Sequence, residues 1–171
     1  LGKFPDLIRA VSLNPTMGAF LNNNDKTAGK PNENYARELM QLFTVGLTKL
    51  SSDGAILRDA QGRSIETYTQ ADVIMATKAL SGWQNDWKQT PKSDSENART
   101  PMRPRTSANS HDTTQKTLLG TVIPAGQTIQ QDLESVISIL ATHPNTAPFV
   151  VKRLIQSLVS SDPSPEYIAR V

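Results

Sequence analysis

The sequence predicts a mainly α-helical fold: a multi-helix, orthogonal or bundle-like domain with a small β-hairpin and one long irregular loop. Apolar residues recur at helical spacing along most of the chain. Turn residues bracket only one pair of short β-like runs, between positions 47 and 68. A long stretch, 84–110, is rich in Asn, Asp, Ser, Thr, Pro and Lys and has no apolar period.

The elements follow in order. Leu7, Ile8 and Val11 form one short helical face, which Asn14-Pro15 ends. Positions 16–21 form a second short helix, and 22–30 a polar loop. Tyr35, Leu39, Leu42 and Phe43 then fall on one face of a 3.6-residue helix, with Asn32 or Asn34 capping its start and Gly46 fitting its end. Ser52-Asp53-Gly54 and Ala60-Gln61-Gly62 turn the runs 55–57 and 64–67 into a hairpin. Thr69 and Asp72 make an acidic capping box for a helix whose inward face is Val73, Ala76, Leu80 and Trp83. Trp83 and Trp87 anchor the long loop. The run 117–123 is extended. Two helices follow, one with the stripe Leu133, Val136, Ile137 and Leu140, the other with Val150, Val151, Leu154, Ile155, Leu158 and Val159. Asn145 or Thr146 caps the second, and Pro148 sits in its first turn, where proline is tolerated. Pro165 opens a last helix.

The length, 171 residues, suits a single domain over 1–171, because a chain of this size buries roughly 70% of its unfolded surface. Leu1 stands where an initiator Met would, and the chain stops at Ala169-Arg170-Val171 inside a helical pattern, so it reads as a fragment of a longer protein. Eighteen basic and sixteen acidic residues leave a net charge of +2. Only Arg99, Arg103 and Arg105 cluster, in a loop without interleaved aromatics, which argues against nucleic-acid binding. The absence of cysteine excludes thiolate zinc sites, iron–sulfur clusters, a cysteine nucleophile and disulfides. No run approaches the ~18 apolar residues of a membrane span.

The densest polar segment is Asn32-Glu33-Asn34-Tyr35-Ala36-Arg37-Glu38. Glu33 precedes Arg37 by four, the favourable direction for a helical ion pair. Glu38 lies about 140° around the helix from Glu33, so the two carboxylates do not form a ready acid/base pair. His111-Asp112 suggests a triad, yet adjacent residues of an extended segment point to opposite faces, so Asp112 is not expected to orient His111. Lys116 is a candidate anion holder. His143, at a helix–helix junction, is expected to cap the carbonyls of the preceding helix, with its charge favouring that end. Trp83 and Trp87 offer a stacking platform or a loop anchor.

These segments, taken together, resemble a bacterial family catalogued as domain of unknown function 1800. The matching pieces are 32–46, 68–73 (Tyr-Thr-Gln-Ala-Asp-Val), 79–83 (Ala-Leu-Ser-Gly-Trp), His111-Asp112 with 116–120, 143–147 (His-Pro-Asn-Thr-Ala) and 160–163. Leu1-Gly2-Lys3-Phe4 and Asn14-Pro15-Thr16-Met17 are similar to the family's middle section, so the likeness covers essentially the whole chain. It implies a secreted, periplasmic or envelope-associated bacterial protein, often encoded beside a sulfatase-like partner, with no established reaction or cofactor. Family members carry an upstream Trp-His-Asn-His-Phe stretch that this chain lacks. Ser81 stands where the family usually has Thr, and Gln41 where an acidic residue is common.

Two functional readings result. In the first, the chain is an interaction or scaffold module, with 32–38 as a buried polar clamp. In the second, it is a metal-dependent or carboxylate-based hydrolase-like enzyme. Glu33, Glu38 and His111 would then be catalytic, with Asn32, Asn34, Arg37, Asp112, Lys116, His143 and Trp83 around the ligand.

Overall fold

The computed structural model describes residues 2–24, 26–86 and 93–171. Trp87 therefore lies outside the described residues, as do Leu1 and Asp25. The chain is mainly helical, with two small antiparallel strand pairs among those residues, and it divides into two compact units.

The first unit comprises Leu1–Arg37 and Gln70–Ile139. Helix α1 (Phe4–Leu13) buries Ile8 but leaves Leu7 exposed. Asn14 ends it and starts α2 (Pro15–Phe20): its side chain accepts the Met17 N–H at 3.0 Å, and Pro15 fills the first helical position, where no amide donor is missed. Helix α3 (Asn34–Glu38) follows, its entry fixed by Asn32 Oδ1, which accepts the Asn34 N–H. In α4 (Gln70–Ala79), Val73 and Ala76 are fully buried, as are Leu80 and Trp83 just beyond it, the face expected from the spacing.

The stretch expected as a long loop carries three short elements. Strand β1 (Trp83–Gln84) pairs antiparallel with β2 (Arg103–Pro104), and α5 (Asp94–Asn97) lies between them in sequence. Gly82, at φ +96°, brings the backbone against Ser110: a Cβ there would sit 3.1 Å from the Ser110 carbonyl oxygen.

Strands β3 (Lys116–Leu118) and β4 (Thr121–Ile123) form a two-residue hairpin. Leu119 and Gly120 both have positive φ, as the twist of such a turn requires. Leucine adopts that conformation at a cost, and Asp72 of α4 offsets it by accepting the Leu119 N–H at 2.8 Å. Helix α6 (Ile129–Thr142) buries Ile129, Leu133, Val136 and Ile137. Asp132 shares that inward face and is fully buried too.

The second unit comprises Glu38–Thr69 and Leu140–Val171. After Glu38 the helix widens into a π-helical turn (Leu39–Phe43), and the Thr44 hydroxyl donates to the Leu39 carbonyl at 2.7 Å. The wider turn carries Leu42 out of the expected stripe: it is 42% exposed, while Leu39 and Met40 are buried. Gly46, at φ +70°, ends the turn, and a Cβ there would lie 2.5 Å from the Phe149 ring. The hairpin expected over 47–68 forms only isolated bridges, Thr48 with Glu66, Leu50 with Ile56 and Arg58 with Ser64. Helix α7 (Thr146–Leu158) buries Ile155, but Leu154 and Leu158 are exposed, as is Val159 after it, so the expected apolar face is only partly covered. Ser164 caps α8 (Pro165–Arg170). Among the described residues no helix is long and apolar enough to cross a membrane.

Candidate functional site

The most concentrated polar chemistry in the first unit centres on Asp132. Its Oδ2 lies 2.8 Å from Lys116 Nζ and 3.1 Å from His111 Nε2. Asp132 and Lys116 are fully buried, and His111 retains 11% side-chain exposure. The Lys116 ammonium also donates to the carbonyls of Asp112 and Thr114, at 2.6 and 2.8 Å. The anion that Lys116 holds is thus internal: a carboxylate of the same chain occupies it.

Ser81, His111 and Asp132 have the composition of an acyl-transfer triad but not its wiring. His111 Nδ1 is 3.0 Å from the Ser81 carbonyl oxygen and 3.4 Å from Ser81 Oγ, so the ring nitrogen beside the serine is aimed at the backbone more closely than at the hydroxyl. Ser81 Oγ donates to the Lys78 carbonyl at 2.6 Å and accepts the Asp112 N–H at 3.0 Å. The serine is buried and its hydroxyl is committed to the backbone. This arrangement joins α4, the 110–116 segment and α6; it does not activate a nucleophile.

Asp112, as its place beside His111 suggested, does not orient the imidazole. Burial raises its carboxyl, but hydrogen bonds from the Thr114 hydroxyl and N–H, with the charges of Lys78 and Lys116, outweigh that and hold its pKa below the ordinary value.

At the start of α3, Arg37 donates to Glu33 Oε2 and to Gln70 Oε1, each at 2.9 Å, and Gln70 Nε2 donates back to Glu33 at 2.8 Å. The three side chains close a ring. Arg37 and Glu33 are 39% and 38% exposed, so this is a surface clamp and not the buried one expected. Glu38 belongs to the second unit, whereas Glu33 and His111 belong to the first. Among the described residues no group of three or more His, Asp or Glu side chains is placed to hold a metal ion. Trp83 is 2% exposed, so its ring offers no face for stacking a ligand.

In the second unit the organising residue is Asn145. Its Nδ2 donates to the carbonyls of Val45 and Thr48, at 2.6 and 2.9 Å, and its Oδ1 accepts the Leu50 N–H. His143 Nδ1 accepts the Asn145 N–H at 3.1 Å. Burial and then the nearby Lys49 charge push the His143 pKa below its usual value. The expectation of a charged histidine capping α6 is therefore overturned. Thr146 supplies that cap: its hydroxyl donates to the Leu140 carbonyl at 2.6 Å.

The model of a family described as a protein of unknown function, DUF1800, matches residues 1–171. The chain belongs to the DUF1800 family. No curated protein and no solved structure matches it.

In this member of the DUF1800 family, Ser81 keeps the hydroxyl that the Lys78 carbonyl and the Asp112 amide require. Sequence reasoning missed Asp132 and the bridging role of Asn145. Asp132 had a visible signal, a carboxylate on the inward face of an amphipathic helix beside Leu133 and Val136. Asn145 had none, because its partners are backbone groups about a hundred positions away.

Proposed function

We propose that this chain is an interaction module of a secreted or envelope-associated bacterial protein, and that its partner is a sulfatase-like protein of the kind the family resemblance implies. The observation that carries the reading is an apolar groove on α1 and α2, with a volume of about 520 Å³ lined by Ala10, Val11, Asn14, Thr16, Met17 and Phe20. Phe20 is 77% exposed, a large apolar side chain left on the surface beside a concavity. Aromatic anchors seated in such pockets dominate protein–protein affinity. The engagement of the Ser81 hydroxyl with the Lys78 carbonyl and the Asp112 amide favours the same reading over a hydrolase that would use this serine as its nucleophile.

Co-purification of the protein with a sulfatase-like protein of the kind the resemblance implies tests the proposal. The pair should co-elute, and Phe20→Glu should abolish co-elution without changing the melting temperature. Failure of the pair to associate, or association indifferent to Phe20→Glu, overturns it. So does hydrolytic activity of the chain that disappears with Glu33→Gln.

A further inference from the structure

Lys26 is 2% exposed, and its Nζ has no hydrogen-bond partner among the described residues. Its nearest compensation is the Tyr35 ring, whose centroid is 5.8 Å from the ammonium, near the outer limit for a cation–π contact. Leaving an ammonium buried and unpaired costs several kcal/mol, so it is rare unless something else meets it.

The same residue lines a small cavity of about 160 Å³, shared with Asn22, Lys30, Pro31 and Asn32. The backbone around it is held firmly. The Lys26 carbonyl accepts the Gly82 N–H at 3.1 Å, the Ala28 N–H donates to Ser110, and Thr27 and Lys30 close a tight turn through mutual N–H···O bonds. Asn22 sits at φ +58°, a conformation asparagine tolerates better than most residues. Asn32 Oδ1 is already occupied by the Asn34 N–H, which leaves its Nδ2 as a donor.

Among the described residues the lining thus holds two lysines and two amides, and no carboxylate. At ~30 Å³ per water the volume accommodates about five, or one four-oxygen anion with its remaining hydration. Lysine is a common binder of such anions, acting as a point charge with rotatable donors. Amine catalysis at Lys26 fits less well, because among the described residues no carboxylate, imidazole or phenol lines the cavity to move a proton.

We propose that this cavity binds a small tetrahedral oxyanion, with Lys26 and Lys30 as its cations and Asn22 and Asn32 as amide donors. The anion is either free phosphate or sulfate, or the phosphoryl or sulfuryl head of a larger molecule. In binding, it supplies the partner that Lys26 lacks.

Titration of the protein with sodium sulfate and sodium phosphate, against sodium chloride at matched ionic strength, tests the site. The readouts are calorimetry and the NMR signal of the Lys26 ε-methylene. Saturable binding with a shift of the Lys26 signal is expected, weakened about tenfold or more in Lys26→Met and several-fold in Lys30→Met. Glucose 6-phosphate and glucose 6-sulfate separate the sources: tighter binding of the esters assigns the head of a larger molecule, and tighter binding of the inorganic ions assigns the free anion. No saturation beyond the chloride control, an unmoved Lys26 signal, or undiminished binding by Lys26→Met overturns the proposal. The wild-type NMR signal decides the matter even if a variant fails to fold.

Discussion

Asp132 Oδ2 and Lys116 Nζ lie 2.8 Å apart with both side chains fully shielded from solvent. Removing one partner strands the other as a buried charge, so Asp132→Asn or Lys116→Met should each destabilise by about 3–5 kcal/mol. The double variant Asp132→Asn/Lys116→Met leaves neither charge and should recover much of the loss. Urea melts of the three variants measure this as a coupling energy. Single-variant losses below about 1 kcal/mol would show that solvent or relaxation compensates the pair.

Asn145 ties the segment 45–50 to the start of α7 through three side-chain hydrogen bonds. Alanine leaves two carbonyls and one amide without these partners, at about 1–3 kcal/mol for each that stays buried. Asn145→Ala should therefore cost about 3 kcal/mol or more. Hydrogen exchange offers a local check: the Leu50 amide should lose protection before amides in the first unit do.

Arg37, by contrast, should tolerate replacement. Its pairing with Glu33 is nearly 40% exposed on both sides, and Gln70 can turn to water. Arg37→Ala should cost less than about 1 kcal/mol, and the difference should shrink as salt is raised. A loss above about 2 kcal/mol in urea melts would mean that the clamp is less solvated than its exposure indicates.

Periodicity made the helical class legible, together with the inward faces of α4 and α6, because each stripe is a local property of ten to fourteen residues. The π-helical turn defeated it at Leu42, where one change in helical pitch moved the side chain into solvent. The site was half visible. His111 and Lys116 could be picked out by type, but the carboxylate that gathers them lies on another element, and its pairing depends on tertiary packing. Adjacency pointed to Asp112 for the histidine; the fold supplies Asp132.

His143 carries a pH dependence whose sign follows from its surroundings. Burial and Lys49 disfavour the imidazolium, so the folded-state pKa lies below the usual value near 6.5. Between the two values the unfolded chain binds more protons than the folded one, and stability rises with pH. The contribution is complete above about pH 6.5 and is lost as pH falls through the folded pKa. Urea melts at about pH 7.5 and about pH 5 should show wild type losing more stability on acidification than His143→Gln. Equal losses would sink the assignment.

Lys26 gives a second profile in a different window. Burial lowers its pKa to about 7 from the ordinary 10.5. An unfolded chain keeps this lysine protonated up to about pH 10.5, so between about pH 7 and that value the unfolded state binds the extra proton and stability climbs with pH. Below about pH 7 both states are charged, and the folded one bears the full cost of the buried ammonium. Lys26→Met should therefore stabilise the protein by about 2 kcal/mol or more at pH 6, and its advantage should shrink steadily toward pH 10. Tyr35, whose hydroxyl burial pushes up, is present in both proteins, so its own linkage drops out of the difference. Lys30 lines the same cavity, so the Lys30→Met background should repeat the profile with a smaller low-pH penalty. A stability difference that is flat across the range would mean that the Lys26 ammonium is solvated or paired in solution.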